Sequence, residues 1–237
     1  MTRPNGDAVT VPTDAGEMPA RLWLPPSGRG PALLLLQEIF GVSRYIQRRA
    51  ADLAEAGYVV LAPELYWRLD ATPLDESAPG AIEEAMARVQ RLDWATTVQD
   101  AVAALHCLRA RDEIRGGSGM IGFCFGGGLA FNVAAVDEVD ALVSYYGSAL
   151  PGLLELAPQV TAPSLHHFGT ADDYLDAETV ARIHEAVTSG GTPVEFFTYE
   201  GANHAFDNDV FVLYHPEASL LAWQRTLAFL AHRLPVC

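Results

Sequence analysis

The sequence predicts an α/β fold: a mostly parallel sheet with helices on both faces and an antiparallel hairpin at its N-terminal edge. Two observations predict it. Short apolar runs of strand length alternate along the chain with amphipathic stretches of helical period. The 237 residues, 50% of them hydrophobic, can also bury one sizeable core. One domain over residues 1–237 is therefore expected.

The elements follow in order. Residues 9–11, the turn Asp14-Ala15-Gly16 and a strand over 21–24 make the hairpin. Further strands are expected over 33–37, 58–62, 120–123, 141–145, 164–168 and 194–199. Between them, helical periodicity covers 44–56, 82–90, 94–109, 127–136, 177–189 and 217–230. The Pro- and Asp-rich stretch 68–80 reads as a surface excursion near the functional site or as a plain solvated loop. There is no internal repeat and no low-complexity tract.

A net charge of -15 repels phosphate backbones and anionic lipid surfaces, so nucleic acid and membrane are not expected partners. The longest aliphatic run, residues 32–36, is far too short to span a bilayer, and Met1-Thr2-Arg3-Pro4 opens no apolar signal core. A cytoplasmic protein, monomeric or weakly dimeric, is expected. Cys107, Cys124 and Cys237 have neither metal-ligand spacing nor the density of a disulfide scaffold, and all three should be reduced.

The most informative stretch is Gly122-Phe123-Cys124-Phe125-Gly126, a G-x-C-x-G turn between an apolar run and a helix. Such a turn forces its central residue into strained backbone and thrusts the side chain clear of the sheet, which flanking residues with bulky Cβ groups would obstruct. At the head of a helix, Cys124 meets the positive end of the macrodipole, which favours the nucleophilic thiolate. The bland alternative is a small buried cysteine filling space in a Gly-rich turn. Gly117-Ser118-Gly119-Met120-Ile121-Gly122 also spells a dinucleotide fingerprint. Its context is wrong, because the pattern precedes its strand and does not open a helix.

A thiol at this turn needs a base. Among seven histidines, His204 in Gly201-Ala202-Asn203-His204 follows the last strand on a turn-forming stretch, where loops reach the ends of parallel strands. His166 and His167 fall inside a strand pattern and read as hydrogen-bonded core residues. No metal-ligating cluster is present, so no metal is expected. The acid that fixes the base's tautomer should end the preceding strand, where Asp172 and Asp173 stand. Asp172 is preferred because Asp173 can cap the helix entered near Asp176. Nucleophile, acid and histidine in that order is the α/β-hydrolase arrangement. The amides of Phe125 and Ile39 would form the oxyanion hole. Glu38, a charge closing an aliphatic strand, either has a purpose or marks a solvated strand end.

Together these residues resemble the dienelactone hydrolase family, the carboxymethylenebutenolidase-like branch of the α/β-hydrolases. The resemblance runs from Gln37-Glu38-Ile39-Phe40-Gly41-Val42 through Gly57-Tyr58, Pro63-Glu64-Leu65-Tyr66, the turn at Cys124 and Tyr145-Tyr146-Gly147 to Gly169-Thr170-Ala171-Asp172 and Gly201-Ala202-Asn203-His204-Ala205-Phe206. It implies a Cys124-His204-Asp172 triad that hydrolyses a small lactone, enol ester or related ester through an acyl-thioester, with no cofactor. It further implies that Glu38 holds the resting thiol away from the histidine. In the founding enzymes two arginines grip the substrate carboxylate, and their positions fall here on Ile82 and Asn208. Arg44, Arg68 and Arg88 are the candidates to replace them. Ile82, Met86, Tyr145 and Phe206 are expected to line an apolar pocket. The competing readings are a small-molecule binding or stress-response protein of the same fold with negligible turnover, and, more remotely, a nicotinamide oxidoreductase.

Overall fold

The computed structural model describes residues 5–69 and 72–236; Cys237 and two residues of the 68–80 stretch lie outside the described residues. The chain forms two compact units. One runs to Gly119 and is rejoined by the C-terminal residues from Leu234, and the other is Met120–Arg233.

In the first unit β1 (Asp7–Thr13) and β2 (Gly16–Trp23) pair antiparallel, with Thr13 opposite Gly16. Gly16 takes a φ of 131°, a region open to glycine at little cost, and the Thr13 hydroxyl donates to its carbonyl at 2.8 Å. β2 pairs antiparallel with β4 (Val59–Pro63), which runs parallel to β3 (Gly30–Leu36), in the order β1-β2-β4-β3. Every residue of β3 and β4 is buried, so neither has a polar face and both read as unbroken apolar runs. α1 (Arg44–Glu55) buries one stripe, Tyr45, Ile46, Ala50, Leu53 and Ala54. α2 (Ala81–Arg91) and α3 (Trp94–Arg109) follow, the second capped by Asp93, whose carboxylate accepts from the Thr96 amide at 2.8 Å.

β5 (Ile114–Phe123) starts in this unit and ends in the other. Residues 117–122 therefore lie inside a strand. A dinucleotide fingerprint needs its glycines in the turn that leaves a strand and opens a helix, so that reading fails on geometry as well.

The second unit carries α4 (Phe125–Val136), β6 (Ala141–Tyr145), β7 (Ser164–Gly169), α5 (Ala177–Thr188), β8 (Val194–Tyr199) and α6 (Pro216–Arg233). β6, β7 and β8 pair in parallel. Asp176, not Asp173, caps α5 by accepting from the Thr179 amide at 2.8 Å. Strand alternation sends His166 and His167 to opposite faces, and both are fully buried. His167 is held by the Tyr199 hydroxyl at 2.7 Å and Thr226 at 3.0 Å, and His166 by Ser164 at 3.1 Å. Burial pushes both rings well below the usual histidine range, His166 to about 4 with His184 adding to the effect, so both are neutral core residues. Short 3₁₀ turns at Trp67–Leu69, Leu150–Gly152 and Leu154–Gln159 were not anticipated, being too brief to show a 3.6-residue period. No helix among the described residues is long and apolar enough to cross a membrane.

Candidate active site

At the end of β5 the chain reverses into α4 across one residue. Cys124 takes φ 53° and ψ −114°, a region costing a non-glycine residue on the order of 1–3 kcal/mol. Backbone hydrogen bonds offset that strain. The Cys124 amide donates to the Tyr145 carbonyl at 3.0 Å, and the Cys124 carbonyl accepts from Gly127 at 3.0 Å and Ser148 at 3.2 Å. The glycines are steric necessities. A Cβ on Gly122 would stand 2.0 Å from the Gly126 carbonyl oxygen, one on Gly127 3.0 Å from the Gly147 Cα, and one on Gly128 2.5 Å from the Ala149 Cβ.

The other two members arrive on the loops after β7 and β8. Gly169 lets those loops meet, since a Cβ there would lie 2.1 Å from the Ala202 carbonyl oxygen. Ala171 donates to that same carbonyl at 3.0 Å. Asp173 and Asn203 then stitch the loops reciprocally. The Asp173 amide donates to Asn203 Oδ1 at 3.0 Å, and Asn203 Nδ2 donates to Asp173 Oδ2 at 2.7 Å. Asp173 is thereby occupied, and Asp172 is the carboxylate that reaches the histidine.

Asp172 Oδ2 stands 2.9 Å from His204 Nδ1, and His204 Nε2 stands 3.0 Å from Cys124 Sγ. Asp172 Oδ1 accepts from the amides of Tyr174 and Leu175 at 2.8 and 3.0 Å, which fixes the carboxylate's orientation. All three side chains are buried. Burial opposes a charged imidazole, but the Cys124 sulfur and the Asp172 carboxylate outweigh it and hold His204 up to about 10. The rings of Tyr146 and Tyr174 flank the imidazole, their centroids 5.2 and 4.9 Å away. Proton transfer from sulfur to Nε2, with the resulting imidazolium stabilised at Nδ1, is the chemistry this line of atoms supports.

The sulfur faces His204, whereas the resemblance implies a resting thiol held away from it. On Sγ's other contact, the thiol donates to Ser148 Oγ at 3.6 Å.

Two expected pocket residues stand elsewhere. Tyr145 is fully buried, with its hydroxyl 2.7 Å from Thr226 Oγ1, and Phe206 is fully buried among Tyr145, Tyr146 and Tyr199. Neither offers a surface to a ligand; Tyr145 serves the site through its carbonyl. Asn208 is also buried, its Oδ1 accepting from the Val210 amide at 3.1 Å. The exposed aromatic surface beside His204 is instead Tyr174, 62% accessible.

Glu38, Ile39, Ile82 and Met86 belong to the first unit. Glu38 is 1% exposed, so it is no solvated strand end. Its carbonyl accepts from the Gly41 amide at 3.2 Å, and the Ile39 carbonyl accepts from the Tyr66 hydroxyl at 2.7 Å, fixing this turn. Ile82 is half-buried and Met86 exposed, one helical turn apart on α2. The three arginines weighed as replacements all have carboxylate neighbours. Arg68 forks onto Asp100 at 2.8 and 3.0 Å, Arg88 pairs with Glu84, and Arg44 lowers the pKa of Asp75 alongside that group's stronger hydrogen bonds to Ser77.

Ser148, Tyr146 and Tyr174 escaped the sequence reading as site residues. Only the run Gly126-Gly127-Gly128 hinted that another segment presses on the start of α4.

Comparison with known proteins gives the family and the fold. Residues 18–234 match the dienelactone hydrolase family. A carboxymethylenebutenolidase of Pseudomonas sp. (strain P51) is 35% identical over 229 residues, covering 93% of this chain and 92% of its own. Another, from Pseudomonas putida, is 35% identical over 209 residues, covering 87% and 88%. The crystal structure of a dienelactone hydrolase candidate from Klebsiella pneumoniae subsp. pneumoniae MGH 78578 superposes with a TM-score of 0.82 at 28% identity, covering 98% of both chains. The fold is that of the α/β-hydrolases.

Proposed function

The chain belongs to the dienelactone hydrolase family, and from that premise we propose that it hydrolyses a small lactone, enol ester or related carboxylic ester through an acyl-thioester on Cys124. The observation that carries this reading is the buried line Sγ–Nε2 at 3.0 Å and Nδ1–Oδ2 at 2.9 Å. We infer one domain working in the cytoplasm as a monomer or weak homodimer, without a cofactor. The family match across residues 18–234 supports the single domain.

In the proposed cycle, His204 Nε2 takes the thiol proton and the sulfur attacks the carbonyl carbon. The C–S bond forms as the carbonyl π electrons move to oxygen, and the Phe125 amide receives the oxyanion, Ile39 being the second donor that the family resemblance assigns. Collapse expels the alkoxide or enolate, which takes the proton from Nε2. Water deprotonated by His204 then attacks the thioester and returns the sulfur. Asp172 keeps the Nδ1 proton in place throughout, and Glu38 is assigned to the neighbourhood of the thiol.

Neutral esters are the preferred class. Ile82 carries no charge, Asn208 is buried, and Arg44, Arg68 and Arg88 have carboxylate neighbours, so a substrate carboxylate would lose its hydration without a guanidinium to replace it. Tyr174 supplies apolar surface beside the base; Ile82 and Met86 are substrate contacts on the family resemblance alone.

The test is intact-protein mass spectrometry after mixing with an activated aryl ester. One acyl adduct per chain, mapped to Cys124 and absent from Cys124→Ala, is the expected result. An adduct at Cys107 or Cys237, with turnover kept in Cys124→Ala, would remove the nucleophile assignment.

A further inference from the structure

His167 is a fully buried imidazole that the proposed cycle does not use, yet its ring and its backbone lead to two consecutive residues of the site. On the ring, Nε2 stands 3.0 Å from Thr226 Oγ1, which in turn stands 2.7 Å from the Tyr145 hydroxyl. On the backbone, the His167 carbonyl accepts from the Tyr146 amide at 2.7 Å. Tyr145 and Tyr146 divide the site between them. The Tyr145 carbonyl holds the Cys124 amide at 3.0 Å, and the Tyr146 ring centroid lies 5.2 Å from that of His204. Tyr146 needs the support, because its φ of 37° is one that a residue with a Cβ leaves unless its surroundings hold it there.

The proton positions along this chain of contacts follow from its far end. Arg225 lies over the Phe197 and Tyr199 rings, 3.9 and 5.3 Å from their centroids, and its guanidinium, which can only donate, hydrogen-bonds the Tyr199 hydroxyl. The Tyr199 proton is then directed to His167 Nδ1, 2.7 Å away. Burial keeps the ring neutral, so its one proton sits on Nε2 and is donated to Thr226. Both ring nitrogens are thus satisfied in a single tautomer. Resting on the Cys124 reading above, we propose that His167, locked as the Nε2–H tautomer, is a positioning residue that fixes Tyr145 and Tyr146 together and, through them, the distance between the thiol and the base that takes its proton. It touches neither substrate nor reacting atoms. Its contribution is to alignment, on which proton transfer and attack depend steeply.

The experiment compares the parent, Thr226→Val and Thr226→Ser. Thr226→Val keeps the shape and removes the hydroxyl that joins His167 to Tyr145. The first readout is the nitrogen NMR spectrum of the histidine rings at neutral pH, with His167→Gln to assign the signal; the parent should show a protonated Nε2 and a bare Nδ1. The second is single-turnover acylation by an activated aryl ester, at a temperature where every variant is fully folded, resolved into a maximal rate and a half-saturating ester concentration. Thr226→Val should lower the maximal rate about ten- to a hundredfold, the scale of misplacing reacting groups by up to about 1 Å, and leave the half-saturating concentration within about twofold of the parent. Thr226→Ser, which keeps the hydroxyl, should restore the rate. A merely structural role would lower the Tm of Thr226→Val and leave its maximal rate at the parent value, and that result would overturn the inference. So would a parent ring protonated on Nδ1, or a Thr226→Ser as slow as Thr226→Val. A parent that shows the expected tautomer but forms no acyl adduct on Cys124 would remove the nucleophile reading, and this inference with it.

Discussion

Asp172→Asn isolates the role of the acid with almost no change of shape. Both oxygens of Asp172 are committed, Oδ1 to the amides of Tyr174 and Leu175 and Oδ2 to His204 Nδ1. The new amide must keep its oxygen toward the two backbone N–H groups, since turning NH₂ toward them would oppose donor to donor twice. Its NH₂ then faces Nδ1, which can only accept. The ring proton is driven to Nε2, the nitrogen 3.0 Å from the sulfur, and that atom ceases to be a base. Loss of the correct tautomer in such a triad costs on the order of a thousandfold to ten-thousandfold in turnover. At ~1.4 kcal/mol per tenfold, that is about 4–5.5 kcal/mol of barrier. Asp173→Asn gives the contrast, because Asp173 bonds to Asn203 and not to His204 among the described residues, and should change turnover by no more than about threefold. The assay is single-turnover acylation by an activated ester, with circular dichroism confirming the fold. Retention of a tenth of the parent rate in Asp172→Asn, or a greater loss in Asp173→Asn, would refute the tautomer argument.

Two further outcomes follow from the same contacts. His204 titrates near 6.5 when unfolded and is held up to about 10 when folded, so its contribution to stability is complete below about 6.5 and is lost as the pH climbs through about 10. Across that window the parent's Tm should fall more steeply than that of His204→Gln; parallel curves in thermal melts would contradict the coupling. Gly122→Ala places a Cβ 2.0 Å from a backbone oxygen that cannot move without opening the turn at Cys124. It should cost about 3 kcal/mol, lowering Tm by roughly 6–12 °C and acylation with it, and an unchanged melt would show the turn to be pliable.

The parts of this protein that could be read from its sequence are those specified by local chemistry. β3 and β4 announced themselves as runs without a polar residue because both faces are covered, and α3 began and ended where its capping Asp93 and its period placed it. β5 starts earlier than its apolar run because Gly116 to Gly119 carry no hydrophobic signal even while extended. Cys124, Asp172 and His204, which the structure brings together, each stand at a turn after a strand, so each could be proposed from its own segment. Tyr145 and Phe206 were misplaced for the converse reason. Which way an aromatic points at a strand end or in a turn depends on what waits on the other side, here Thr226 for one and three tyrosines for the other. Ser148 was invisible because its approach to the sulfur depends on glycines in two separate segments.

The stitch between Asp173 and Asn203 separates two things that catalysis usually ties together. The proposed acid and base ride on loops fastened to each other, and the proposed nucleophile stands on a turn held by its own backbone bonds and its own glycines. On the proposed reading, the attacking atom can therefore be exchanged without re-aiming the pair that serves it. Over evolutionary time such a layout lets a lineage trade sulfur for oxygen, and thioester for ester, by one codon, while the proton-handling half of the machine is inherited intact.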